Sequence, residues 1–441
     1  MRLSVIGCGY LGAVHAASMA HLGHEVVGVD VDARKVEQLA SGTAPFYEPG
    51  LPELLTDVQG TGRLTFSTEM SAAAGARVHF LCVGTPQKHG EFRADLSYVD
   101  AAFTALLPFV QPGDLVVGKS TVPVGTAEDL AARLEGTGAT LVWNPEFLRE
   151  GFAVQDTLHP DRLVYGLPTD GDGEPTAEGV RAREVLDEVY ATPLADDTPL
   201  VVTDYATAQL VKVAANSFLA TKISFINAMA ELCEATGADV TRLADAIGYD
   251  ARIGRRFLNA GLGFGGGCLP KDIRAFMARA GELGVDQALS FLKEVDSINM
   301  RRRVRVVDLV REVCNGSIVG KRVAVLGAAF KPESDDIRDS PALSVAAQMQ
   351  LQGAHVTVTD PQAVANARAK WPDLRYAATV EDAVAGADVV VLATEWEQYR
   401  ALDPQTVGAL VAQKAVVDGR NVLDPASWRA AGWTYRALGR P

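Results

Sequence analysis

Residues 321–327 (KRVAVLG) echo residues 1–7 (MRLSVIG), and residues 352–360 (QGAHVTVTD) echo residues 22–30 (LGHEVVGVD). The offset grows from 320 (Lys321 against Met1) to 330 (Gln352 against Leu22), which predicts about ten extra residues after the second copy's first strand. A third echo pairs 76–86 (ARVHFLCVGTP) with 387–396 (ADVVVLATEW). Each copy reads as strand, turn, helix and strand, so the pattern predicts an α/β chain with two parallel-sheet units.

The first copy carries more than the pattern. A short strand over 3–6 runs into Gly7, Gly9 and Gly12, a GxGxxG turn; a helix rich in small residues follows over 13–22, then Gly23 and a strand over 25–29 ending at Asp30. In such a turn, glycines let backbone N–H groups and the helix terminus approach a pyrophosphate, and the acid takes the ribose hydroxyls. This predicts a Rossmann-like dinucleotide site. NAD fits better than NADP, whose extra phosphate would face Asp30. Strands over 78–83 and 115–117 lead into Gly84-Thr85-Pro86 and into Lys119-Ser120-Thr121, small and hydroxylated residues of the kind that line the ligand crevice of an open parallel sheet. The second copy lacks GxGxxG. Its Phe330 stands where glycines would be needed, and Lys331 and Arg338 read either as cations for a substrate diphosphate or as surface residues among acids.

At 441 residues the chain has room for two or three domains. The middle reads as helical: 204–235 contains neither Pro nor Gly, predicting a helix of about 45 Å able to bridge domains and to bury surface against a partner chain. Segments 239–250 and 270–315 add helices, while 169–179 reads as an exposed loop. The divisions are thus 1–203, 204–315 and 316–441. A net charge of −14 argues against a broad surface for nucleic acid or anionic membrane, and no stretch is apolar for the length of a membrane span. With no separate apolar leader, the expected location is the cytoplasm.

Five cysteines, scattered and without a CxxC pair, argue against a disulfide framework and a structural zinc site. Cys8 sits in the glycine turn, and Cys82, Cys233 and Cys314 lie in apolar patterns that predict inert buried thiols. Cys268 differs. It follows five glycines within 261–267, a density that predicts close approach to a ligand, and precedes Pro270 and Lys271 at a helix start, where thiolate is favoured over thiol.

These stretches together resemble the UDP-glucose/GDP-mannose dehydrogenase family: GCGYLG at 7–12, KSTVPVGT at 119–126, NPEFLREG at 144–151, Lys212 with Asn216, GFGGGCLPKD at 263–272, Phe330-Lys331 with Arg338, and DGRN at 418–421. The resemblance runs nearly end to end. It implies an N-terminal NAD-binding unit, a long central helix with dimer-forming helices, and a C-terminal unit for the sugar nucleotide. It also implies an enzyme that oxidises UDP-glucose at C6 to UDP-glucuronate with two NAD and one water, through a thiohemiacetal and a thioester on Cys268. The same oxidation of GDP-mannose or a UDP-N-acetylhexosamine is the nearest alternative, and a binding protein without turnover a more distant one.

By the same resemblance, Lys212 and Asn216 steady the reacting oxygen, although Lys212 alone reads equally as an ordinary helix lysine. Glu146, Thr121 and Asp272 match residues of proton transfer and water positioning, with the base left open among them. Gly7, Gly9, Tyr10, Leu11, Gly12, Asp30, Lys35, Gly84, Thr85, Pro86, Ser120, Thr121, Glu150, Lys271 and Arg338 fall on the cofactor side. Glu146, Phe147, Leu148, Glu150, Phe257, Leu258, Gly265, Phe330, Lys331 and Arg420 join Lys212, Asn216 and Cys268 on the substrate side, with Arg252 matching an arginine that reaches a neighbouring subunit. No metal is implied. Two departures stand out: Gly267, where many relatives have Ser, and Arg149, a cation inside the acidic loop.

Overall fold

The computed structural model describes residues 1–441. They form two compact units, one of residues 1–215 with 274–284 and one of residues 216–273 with 285–441.

In the first unit, β1 (Arg2–Ile6), β2 (Glu25–Val29), β3 (Leu64–Ser67), β4 (Val78–Leu81), β5 (Leu115–Gly118), β6 (Thr140–Trp143), β7 (Leu163–Leu167) and β8 (Leu200–Asp204) make one sheet. Their order is β3-β2-β1-β4-β5-β6-β7-β8, parallel except where Trp143 meets Gly166 between β6 and β7. Alternate strand residues feed two layers: Leu3, Val5, Phe80 and Tyr165 pack on one face, Ile6, Leu81, Val116 and Trp143 on the other. Strand order reverses at β1, between β2 and β4, and there the helix Tyr10–His21 begins. It starts three residues earlier than expected, because Gly9 already caps it. Its Ala13, Ala16, Ala17 and Ala20 are buried, small enough to bring the helix close to the sheet.

The second unit holds the repeat. β9 (Arg322–Leu326), β10 (His355–Thr359), β11 (Arg375–Tyr376), β12 (Val389–Leu392), β13 (Ala415–Asp418) and β14 (Thr434–Ala437) form a parallel sheet in the order β11-β10-β9-β12-β13-β14. The extra residues are the loop between β9 and the helix Pro341–Leu351, whose Ser340 side chain accepts the Leu343 N–H as N-cap.

The central helix runs Tyr205–Thr236. Asp204, expected inside it, ends β8 and receives the Thr207 N–H at 2.8 Å. The 270–315 helical region divides into Leu269–Glu282 and Phe291–Val313, interrupted after Gly284 at φ +74°. The 169–179 loop is shorter than expected, since Thr176 caps a helix from Ala177 to Val189. No helix is long and apolar enough to cross a membrane.

Candidate functional site

At Gly7 and Gly12 the glycine turn of the first unit leaves no room for a side chain. A Cβ on Gly12 would lie 1.8 Å from the Gly7 carbonyl oxygen, and Gly7 itself has φ +89°. A Cβ on Gly9 would meet nothing within 4 Å, so the space over the turn is open. Asp30, buried at the end of β2, accepts the Cys8 N–H at 2.8 Å and the Asp32 N–H at 3.0 Å, and Lys35 pairs with it at 2.9 Å. These residues fit a dinucleotide: open backbone over the turn, with an acid and a cation at its far edge. Next to them, Thr85 donates its hydroxyl to the Thr121 carbonyl at 2.7 Å and Ser120 donates to Val83 at 2.6 Å, tying the segments after β4 and β5 together. Gly84 and Pro86 are exposed beside this tie. Leu11 packs into the core.

The 144–151 loop is held from below. Glu146 accepts the N–H groups of Phe147 (2.8 Å) and Leu148 (3.0 Å) on one oxygen and pairs with the buried Lys119 at 3.1 Å on the other. Lys212 stands 5.5 Å over the Phe147 ring, and Arg162 3.8 Å from the same ring's centroid. Glu150 is buried. Arg149 turns away from the acids to a bidentate pair with Asp156, at 2.6 and 2.9 Å. Glu48, which the sequence did not single out, accepts Gly151 N–H (2.6 Å), Ala153 N–H (2.7 Å) and the Tyr10 hydroxyl. Its only signal was a glutamate among apolar and turn residues.

In the second unit Cys268 is the one exposed cysteine of the five. Burial raises the thiol pKa of Cys8, Cys82, Cys233 and Cys314. Cys268 directly precedes the helix Leu269–Glu282, whose first turn carries Asp272. The buried Asp272 carboxylate receives the Asn216 amide at 2.7 Å and Lys271 at 2.6 Å, and its N–H donates to the Cys268 carbonyl at 3.0 Å. Asn216, Lys271 and Asp272 therefore meet beside the cysteine.

The glycines before Cys268 lie against the chain's own residues: a Cβ on Gly265 would lie 2.4 Å from the Asp339 carbonyl oxygen, one on Gly266 2.8 Å from the Phe330 ring, and one on Gly267 2.1 Å from the Arg338 guanidinium carbon. Gly267 thus makes room for Arg338, which is exposed and paired with Asp336 at 2.7 Å. Asn299 clamps the same loop, donating to Phe264 O at 3.0 Å and accepting from Phe264 N–H at 2.7 Å, and Arg303 pairs with Asp339 at 2.9 Å. Both were missed; their signal is polar residues on the buried stripe of the helix Phe291–Val313.

Arg420 donates to the carbonyls of Ala393 (2.8 Å), Gly263 (3.2 Å) and Phe330 (3.1 Å), fastening three loops around the second sheet. Lys331 lies 5.6 Å from the Phe330 ring. Phe257 adopts φ +66°, a conformation an aromatic residue holds only under constraint, beside the buried Leu258. Arg252 is exposed and pairs with Asp250 at 2.6 Å.

Comparison with known proteins agrees with these features. Residues 1–192, 206–301 and 324–425 match the NAD binding, central and UDP binding domains of the UDP-glucose/GDP-mannose dehydrogenase family. The chain is 41% identical to a UDP-glucose 6-dehydrogenase of Rhizobium meliloti, covering 100% of both. A solved UDP-glucose dehydrogenase from Pyrobaculum islandicum superposes with a TM-score of 0.88 at 41% identity, covering 100% of this chain and 98% of the other. A UDP-D-ManNAc dehydrogenase from Pyrococcus horikoshii gives 0.85 at 26% identity, covering 100% and 99%.

Proposed function

Because the chain belongs to the UDP-glucose/GDP-mannose dehydrogenase family, with NAD as its cofactor, we propose that it oxidises the C6 alcohol of UDP-glucose to the carboxylate of UDP-glucuronate. The observation that carries this reading is Cys268, the single exposed thiol, set at a helix start beside the Asn216–Asp272–Lys271 chain. A two-electron dehydrogenase has no use for such a thiol. The 41% identity to UDP-glucose enzymes, against 26% to the UDP-D-ManNAc enzyme, favours glucose over the other nucleotide sugars.

In the proposed sequence, the alcohol loses its O–H proton to a base and a hydride from C6 to NAD, giving the aldehyde. The Cys268 thiolate adds to the aldehyde carbon, and the resulting alkoxide is protonated to a thiohemiacetal. Loss of that proton and a second hydride, to a second NAD, gives a thioester. Water then adds to the carbonyl and expels the thiolate, leaving the carboxylate. Lys212 and Asn216, one helical turn apart, are assigned to the oxygen that becomes negative. Glu146, Thr121 and Asp272 are assigned to proton transfer and to the attacking water. NAD supplies the hydride acceptor; Gly7, Gly9, Tyr10, Leu11, Gly12, Asp30, Lys35, Gly84, Thr85, Pro86, Ser120, Thr121, Glu150, Lys271 and Arg338 are proposed to hold it. Phe147, Leu148, Phe257, Leu258, Gly265, Phe330, Lys331 and Arg420 are proposed to surround the nucleotide sugar.

We assign residues 1–203 to cofactor binding, 204–315 to the central and dimerisation region and 316–441 to the nucleotide. A homodimer in the cytoplasm completes the proposal. The dimer is supported by Phe218, Phe225 and Leu232, exposed at intervals of seven along the central helix, and by the exposed Arg252. Purified protein should form two NADH per UDP-glucose consumed, read at about 340 nm as nicotinamide absorbance. A ratio of one, or none, overturns the four-electron reading. Cys268→Ser should lose turnover while still binding UDP-glucose, and full retained turnover would reject the covalent step.

A further inference from the structure

The strand β5 ends at Gly118, and the next residue, Lys119, points its side chain into the first unit, where it is 4% exposed. A buried ammonium is stable only where every proton has an acceptor and its charge a partner. Lys119 meets both conditions. Its Nζ donates to Asn144 Oδ1 at 2.9 Å and to the Tyr190 hydroxyl at 3.4 Å, and it pairs with Glu146 Oε2 at 3.1 Å. The acceptors are themselves fixed: Tyr190 donates to Asn144 Oδ1 at 2.7 Å, and Asn144 donates its amide to the Val164 carbonyl at 3.0 Å. The rings of Phe80 and Tyr190, with centroids at 6.0 and 5.9 Å, flank the ammonium. Glu146 is the only carboxylate in this cage.

Glu146 is held at both ends, by Lys119 on Oε2 and by the Phe147 and Leu148 N–H groups on Oε1. Each carboxylate oxygen has two acceptor sites, so Oε2 keeps one beside the lysine. We propose that Lys119 is the positioning residue for Glu146, fixing the carboxylate in one rotamer at the head of the 146–148 loop. This rests on the reading above in which Glu146 serves proton transfer.

The surrounding groups leave the pair as the local charge. Burial alone would drive Lys119 toward neutrality, but the charge of Glu146 holds the ammonium above its ordinary pKa. Burial pushes Cys82, after β4, up to about 12, and Tyr190, after the helix Ala177–Val189, up to about 12, so both stay neutral. His15, on the helix Tyr10–His21, is held well below its ordinary value by burial and by the Lys119 charge. Across the Phe147 ring stand Lys212 and Arg162.

The test is the pH dependence of kcat and KM for UDP-glucose in the full-length enzyme at saturating NAD. Losing the ammonium should move the acid limb of kcat upward by at least one pH unit in Lys119→Met and lower kcat at pH 7 at least tenfold, with KM changed less than threefold. Lys119→Gln, which keeps hydrogen bonds to Asn144 and Tyr190 and so preserves the cage, should show the same shift. Glu146→Gln should abolish the limb, and Lys119→Gln combined with Glu146→Gln should be no slower than Glu146→Gln alone. A limb that stays in place in Lys119→Gln while Glu146→Gln abolishes it overturns the positioning role and leaves Glu146 intact. A limb that survives Glu146→Gln removes the role of Glu146, and the proposal with it.

Discussion

In the first unit the Gly7 N–H donates to Val29 O at 2.8 Å and Cys82 N–H to Ile6 O at 2.8 Å; in the second, Gly327 N–H donates to Thr359 O at 2.8 Å and Ala393 N–H to Leu326 O at 2.9 Å. The second strand of each triplet ends in an aspartate that accepts the next N–H, Asp30 from Cys8 at 2.8 Å and Asp360 from Ala328 at 2.7 Å. From there the copies part. Asp30 takes Asp32 N–H and Lys35, and lies beside a turn kept bare by glycine. Asp360 also receives Ala329, Gln362 and Ala363 N–H groups and the Trp396 indole, which fills its acceptor capacity. The acid at this strand end is first a fastener of the fold. It can serve a cofactor only in the copy where few internal donors compete for it.

That contrast can be broken, most severely at Asp360. Asp360→Ala strands several buried donors and should lower unfolding free energy by about 3 kcal/mol, against about 1 kcal/mol for Asp30→Ala, in urea titrations. Equal losses would erase the distinction. Gly12→Val, whose side chain collides with the Gly7 carbonyl, should weaken NAD at least 100-fold by calorimetry, about 2.7 kcal/mol, while UDP still binds. Asp30→Ser should lower the NAD over NADP ratio of kcat/KM about tenfold, about 1.4 kcal/mol; an unchanged ratio would detach Asp30 from the ribose.

The units also separate by pH. His15 and His79, both fully buried in the first unit, have pKa values lowered by burial from the ordinary 6.5. The unfolded chain binds protons there before the folded one does, so stability falls as pH drops below about 6.5, by up to about 1.4 kcal/mol per pH unit for each histidine. The second unit's only histidine, His355, lies on the exposed start of β10. Hydrogen exchange at pH 5 should therefore loosen β1 and β4 before β9 and β12.

The repeat, the glycine turn and the distinction of Cys268 were legible because each rests on local pattern: alternation, glycine spacing, a cysteine against a helix start. The partners of the site were not. Lys119 and Glu146 come from the ends of successive strands, and Asn216 and Asp272 from two different helices, so no spacing rule links them. The glycines at 265–267 were only half legible. Their density signalled close approach correctly, but the neighbours are Asp339, Phe330 and Arg338 of the same chain, brought there by the loop that the second copy inserted.

The division of the chain has a consequence for its synthesis. The first unit includes residues 274–284, and Arg279 there donates to the Val124 carbonyl at 2.9 Å. A nascent chain that has emerged only through residue 215 lacks that clasp, and must wait while the cysteine loop and its helix are translated. Maturation of the nucleotide half and of the cofactor half is thereby interleaved rather than sequential, and cutting the gene at the middle of the protein would yield neither half whole.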